Sequence, residues 1–95
     1  MTLSNQIQTR KLLYSGQVQG VGFRFNFYNI AIESGVKGYV KNLPYGHVEA
    51  VCEGSEHALD MLTEKVAHRM SGYITSCKVD ILDVPKKFKD FSILT

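Results

Sequence analysis

The residues with the clearest chemical potential lie in one short segment, Ser15-Gly16-Gln17-Val18-Gln19-Gly20-Val21-Gly22-Phe23-Arg24. Glycines in such a turn let the backbone take positive φ and aim successive N–H groups into one concavity. Apolar residues at helical spacing begin at Phe23, so a helix N-terminus stands directly behind the turn. Its first N–H groups are unpaired and carry a partial positive charge. Together these make an anion site, best suited to a phosphoryl group. Arg24 falls in the first helical turn, where a cation opposes the dipole by a few tenths of a kcal/mol up to ~1. An anion held between turn and guanidinium removes that conflict and accepts bidentate hydrogen bonds. The local pattern alone is equally consistent with Arg24 pointing to solvent.

Two standard phosphate motifs are absent. The nucleotide-hydrolase loop needs Gly-Lys followed by Ser or Thr, and no such tripeptide occurs in the chain. A dinucleotide loop of the form G-x-G-x-x-G needs glycine at 25, where Phe25 stands. His47, His57 and His68 show no metal-ligand spacing with Cys52 and Cys77, so no metal and no cofactor is expected. The two cysteines form no C-x-x-C pair and read as reduced, partly buried thiols. The histidines read as surface residues.

The elements that must position the glycine turn follow from periodicity. Lys11 to Gln17 reads as a strand, with Leu12 and Tyr14 on one face. Phe23, Phe27, Ile30, Ala31 and Ser34 share one face of a helix over 23–34, and Gly35 suits its C-terminal cap. Gly38 to Asn42 and His47 to Glu53 form a hairpin across Leu43-Pro44-Tyr45-Gly46, with Gly46 free to take positive φ. Ser55 suits an N-cap for a second helix, whose buried stripe is Leu59, Leu62, Val66 and Met70. Tyr73 to Val84 is extended, with Cys77, Val79 and Ile81 alternating. Pro85-Lys86-Lys87 reads as a loop, and Phe91 and Ile93 alternate in a last short strand. The order β-α-β-β-α-β plus a short C-terminal strand predicts an α+β fold. It is the split β-α-β, ferredoxin-like sandwich, an antiparallel sheet with two helices on one face.

Composition sets the outer bounds. The chain has 95 residues, with 44% hydrophobic and 21% charged. One domain over 10–95 is expected, burying roughly 60–65% of its unfolded surface, with residues 1–9 as a flexible N-terminal extension. Net charge is +2, from 11 Lys+Arg against 9 Asp+Glu. That balance disfavours nucleic acid, whose binders concentrate positive charge on one face. An RNA-binding sheet of the same topology needs exposed aromatics on its central strands. The third strand here reads His47-Val48-Glu49-Ala50-Val51. No apolar run approaches the ~18 residues of a membrane span, and the polar start lacks the features of a signal peptide. A cytoplasmic monomer is the expectation.

Gly16-Gln17-Val18-Gln19-Gly20-Val21-Gly22-Phe23-Arg24 resembles the acylphosphatase signature G-x-V-Q-G-V-x-F-R. Gly35 through Glu49 resembles that family's second signature, G-x-x-G-W/Y-V-x-N-x-x-x-G-x-V-E. The resemblance runs from about Lys11 to Leu94. It implies the ferredoxin-like sandwich and hydrolysis of the carboxyl-phosphate bond of small acyl phosphates without a metal. It makes Arg24 the phosphate-binding arginine and Asn42 the residue that positions the attacking water. It makes the backbone of Gln19, Gly20, Val21, Gly22 and Phe23 the phosphate cradle. Without it, Asn42 reads as a strand-end or turn residue. Acylphosphatase-like domains also begin larger hydrogenase-maturation proteins, so a phosphate-handling accessory domain is the runner-up; a 95-residue chain favours the free-standing enzyme. Tyr39 stands where Trp is more usual, and Tyr45 where many members carry Asp.

Overall fold

The computed structural model describes residues 6–83 and 87–95. Its elements are β1 (Ile7–Gly16), α1 (Phe23–Ser34), β2 (Lys37–Asn42), β3 (Val48–Ser55), α2 (Glu56–Arg69), β4 (Ile74–Leu82) and β5 (Phe91–Leu94). One sheet of five strands runs in the order β4-β1-β3-β2-β5. The ferredoxin-like order of the first four strands is the one the sequence predicts.

The apolar spacing works as read. Phe23, Phe27, Ile30 and Ala31 of α1 and Leu59, Leu62 and Val66 of α2 are buried. They share one core with Leu12 and Tyr14 of β1 and Val48, Ala50 and Cys52 of β3. α1 lies over β2 and β5 and α2 over β3 and β1, and the two helices also touch. Gly35 takes φ 71° and ends α1, while Ser55 Oγ accepts from the Ala58 N–H at 3.1 Å and starts α2. Tyr14, Phe23, Phe27 and Phe91 form a continuous ring cluster, with Phe27 stacked on Phe91 at 5.7 Å. Two rings at the start of α1 are therefore fixed in the core, which anchors the helix end that carries Arg24.

Several expectations need correction. The sheet is mixed rather than wholly antiparallel, because β5 pairs parallel with β2, Gly38 facing Phe91 and Lys41 facing Leu94. β1 begins at Ile7, so residues 7–9 belong to the sheet; residues 1–5 of the expected extension lie outside the described residues. Thr9 explains the early start. Its hydroxyl donates to Glu53 Oε2 at 2.9 Å, and both residues are buried. Glu53 also accepts from the backbone N–H of Lys87 and Phe88, folding the β4–β5 connection onto the outer face. Strict alternation along β3 does not reveal this buried carboxylate. Finally, Cys77, Val79 and Ile81 alternate in β4 opposite Tyr14, Leu12 and Arg10, yet all three are exposed. β4 is an edge strand, and it is Ile74 at its start that packs against the core. So Cys52 is buried while Cys77 is not, and both are free thiols. Val84 and most of the loop expected at 85–87 lie outside the described residues. Among the described residues no helix is long and apolar enough to cross a membrane.

Candidate active site

The sheet's strand directions bring three chain segments to one end. β1 and β2 both pair antiparallel with β3, and β5 is parallel to β2, so β1, β2 and β5 point the same way. Gly16, Asn42 and Leu94 therefore finish at a common edge, where the turn after β1 leads into α1. β5, expected as a last short strand but not in this parallel pairing, is what adds a third wall.

In the turn, Gly20 and Gly22 have φ 78° and 77°, while Val21 between them does not have positive φ. Positive φ at these two glycines is the kind of backbone geometry that lets a turn aim N–H groups into one hollow. Neither glycine is required by crowding, since a Cβ at Gly20 meets nothing within 4 Å. The requirement is conformational. Gly22 is the N-cap of α1 with no side-chain cap, and α1 has no acidic residue in its first turn. The described hydrogen bonds include no acceptor for the N–H groups of Gly20, Val21, Gly22 or Phe23. The positive end of the helix thus has no described partner.

A cavity of about 210 Å³ opens here, lined by Val18, Gly20, Gly22, Phe23, Arg24, Phe25, Asn42 and Ile93. Five of the sequence-predicted residues converge on it: Gly20, Gly22, Phe23, Arg24 and Asn42. Gln19 and Val21 do not line it. Val21 packs against the core. The Gln19 side-chain amide Nε2 donates to the carbonyls of Leu43 and His47, each at 2.8 Å. It thereby ties the glycine turn to the β2–β3 turn that follows Asn42. Ser15 Oγ and His47 Nδ1, 3.2 Å apart, make a second link between the same segments.

Arg24 Nη1 donates to the Leu94 carbonyl at 2.9 Å. One donor of the guanidinium fork thus fixes the side chain against β5. The guanidinium is thus directed along β5, and Arg24 lines the cavity beside the glycine turn. Asn42 Oδ1 is buried with no described partner. An orphaned buried acceptor costs about 1–3 kcal/mol unless a water or ligand donates to it. The residues absent from the sequence reading are Val18, Phe25 and Ile93. Phe25 and Ile93 sit off the buried stripes, and no periodicity marks an exposed apolar residue as part of a wall.

A larger cavity of about 520 Å³ lies at the opposite end of the sheet, among Ile7, Lys37, Glu53, Ala58 and neighbours. Its carboxylate, Glu53, already accepts from Thr9, Lys87 and Phe88. The glycine turn, Arg24 and Asn42 are all at the other end.

The acylphosphatase family model matches residues 10–93. The chain belongs to the acylphosphatase family. An acylphosphatase of Thermoplasma volcanium is 38% identical over 88 residues, covering 92% of this chain and 97% of that one. The crystal structure of an acylphosphatase from Bacillus subtilis superposes with TM-score 0.84 at 32% identity, covering 95% of this chain and all of that one. A full-length HypF structure, in a phosphate- and nucleotide-bound form, matches with TM-score 0.80 at 33% identity. It covers 96% of this chain but 12% of HypF. The protein is therefore an acylphosphatase, a hydrolase acting on acyl phosphates.

Within this acylphosphatase one turn residue is strained. Tyr45, in the turn after Asn42, has φ 69° and is 97% exposed. Gly46 follows at φ 88°. The turn thus needs two consecutive left-handed residues, where the sequence marks only Gly46. A left-handed bulky residue costs ~1–2 kcal/mol, and glycine's extra unfolded-state entropy offsets ~0.4–1 of it. Tyr45→Gly should raise stability by about 0.5–1 kcal/mol, since the exposed ring packs on nothing that would be lost. Chemical denaturation checks this, and a fall in stability would show that the ring holds the turn.

Proposed function

We propose that this acylphosphatase hydrolyses small acyl phosphates by holding the phosphoryl group between Arg24 and the glycine-turn N–H groups, with Asn42 positioning water. The observation that carries the reading is the orphaned Asn42 Oδ1 on the wall of the cavity that Arg24 also lines. A water donates one O–H to Oδ1, which turns an oxygen lone pair toward phosphorus. Asn42 does not act as a base, because a neutral amide has no usable basicity. Its contribution is orientation.

Water oxygen forms a bond to phosphorus and the phosphorus–oxygen bond to the acyl group breaks. The electron pair leaves on the carboxylate, and the water proton passes to a phosphoryl oxygen, giving carboxylate and inorganic phosphate. A carboxylate is a good leaving group, so no general acid is needed. The chemistry reduces to placing the reactants and stabilising charge on the phosphoryl oxygens. Arg24 supplies the charge and forked donors, and the N–H groups of Gly20 to Phe23 supply the rest. The Gln19 amide keeps the two halves of the site in register. This division of labour assigns no role to a metal.

The test is release of phosphate from acetyl phosphate, with and without EDTA. Turnover well above the uncatalysed rate should persist in the chelator. Asn42→Ala should lower kcat about 10²-fold, the order expected when a reacting group loses its orientation, with a smaller change in KM. Absence of wild-type turnover would sink the reading, and loss of activity in EDTA would overturn the metal-free mechanism. An Asn42→Ala enzyme within a few-fold of wild type would remove Asn42 from the site.

A further inference from the structure

We propose that the acyl half of the substrate is held on an apolar wall made by Phe25 and Ile93, and that the preferred substrates carry uncharged, apolar acyl groups. This rests on the acyl-phosphate reading of the same cavity and adds the acyl class to it.

The cavity wall divides into two parts. Gly20, Gly22, Arg24 and Asn42 provide the polar half. Val18 and Phe23 also line it, but they are almost wholly buried in the core. Accessible apolar surface comes from Phe25, 62% exposed, and Ile93, 39% exposed. Phe25 precedes Asn26 on α1 and lies off the buried stripe, so the fold gains little from an aromatic ring there. Ile93 comes from the parallel strand β5, and the next residue, Leu94, receives the Arg24 guanidinium. The two apolar side chains therefore line the same cavity as the arginine, one from the helix and one from the strand.

Charge on the wall points the same way. Arg24 is the one cation among the lining residues, and no carboxylate is among them. With the phosphoryl group on Arg24, a second anionic group on the acyl portion finds no partner. It would lose hydration against Phe25 and Ile93, which disfavours it strongly. An aromatic or aliphatic acyl group instead buries apolar surface against both side chains.

The experiment measures kcat/KM for benzoyl, acetyl, butyryl and succinyl monophosphates on wild type, Phe25→Ala, Phe25→Leu and Ile93→Ala. Comparing each variant with wild type cancels the intrinsic reactivity of the substrates. Phe25→Ala should lower kcat/KM for benzoyl phosphate about tenfold more than for acetyl phosphate, the order expected from a lost aromatic contact. Phe25→Leu should retain most of the difference, and Ile93→Ala should show a smaller loss of the same sign. Wild type should turn over butyryl phosphate at least tenfold better than succinyl monophosphate, which is similar in length but has a second carboxylate. Equal effects of Phe25→Ala on benzoyl and acetyl phosphate would overturn the proposal, as would equal turnover of the butyryl and succinyl compounds. If wild type hydrolyses none of the four, the acyl-phosphate reading itself fails, a result distinct from lost selectivity.

Discussion

Arg24→Gln should lower kcat/KM for acetyl phosphate by about 10³-fold while leaving the fold intact. Removing one preorganised donor from an anionic transition state costs about 10²–10³ in rate. Arg24 is charged and forked, which puts its loss at the upper end. The stability side is nearly balanced. Arg24 sits in the first turn of α1, where its charge opposes the dipole by ~0.3–1 kcal/mol. Glutamine relieves that repulsion but gives up the bond to the Leu94 carbonyl, a partly exposed contact of comparable size. The melting temperature should therefore move by only a few degrees. Arg24→Lys restores the charge without the planar fork and should recover about tenfold of the loss. A thermal melt and a phosphate-release assay on both variants check the two halves separately. Activity of Arg24→Gln within tenfold of wild type would show that the N–H groups alone hold the phosphate.

The legible and illegible parts of this protein differ in the kind of physics that specifies them. α1 was legible because Phe23, Phe27, Ile30 and Ala31 recur at the helical period and Gly35 ends it with a left-handed cap. The glycine turn was legible because Gly20 and Gly22 are the residues that positive φ selects. Asn42 was legible only through family resemblance, since an asparagine at a strand end is ordinarily a turn residue. Its orphaned Oδ1 is a three-dimensional property. β4 misled because alternation reports strand geometry, not what covers the strand. At the sheet edge Cys77, Val79 and Ile81 are exposed. The direction of β5 has no local signature either. It follows from where Glu53 ties down Lys87 and Phe88. Gln19 is instructive because the resemblance cast it as part of a backbone cradle, while in the structure its side chain bridges two turns. Such a bridge spans segments more than twenty residues apart and leaves no periodic trace.

Gly38→Ala should be the most damaging small substitution in the protein, removing about 4 kcal/mol or more, against typical domain stabilities of ~5–15 kcal/mol. Gly38 has φ 136°, and a Cβ there would drive into the backbone carbonyl of Val51, with the Cys52 Cα 3.3 Å away. Neither neighbour is a flexible side-chain tip that moves aside. The close approach is built into the sheet, since Gly38 pairs with Cys52 on one side and donates to the Asp90 carbonyl at 2.9 Å on the other. Gly35→Ala provides the control. It has φ 71° but nothing within 4 Å of its Cβ, so it should cost only the left-handed strain, ~1–2 kcal/mol. The difference between the two variants isolates the collision from the strain. At about 4–8 °C per kcal/mol for a domain of this size, Gly38→Ala should melt at least ~15 °C below wild type. Function follows the same route. To accept the methyl group, β2 must move away from β3, and β2 carries Asn42 at one end and β5 along its other edge. Any Gly38→Ala protein that still folds at low temperature should therefore lose kcat, because the Asn42 amide, proposed to position water, and the Leu94 carbonyl that receives Arg24 shift together. A Gly38→Ala enzyme as stable as Gly35→Ala would mean that the β2–β3 approach is looser than the structure places it.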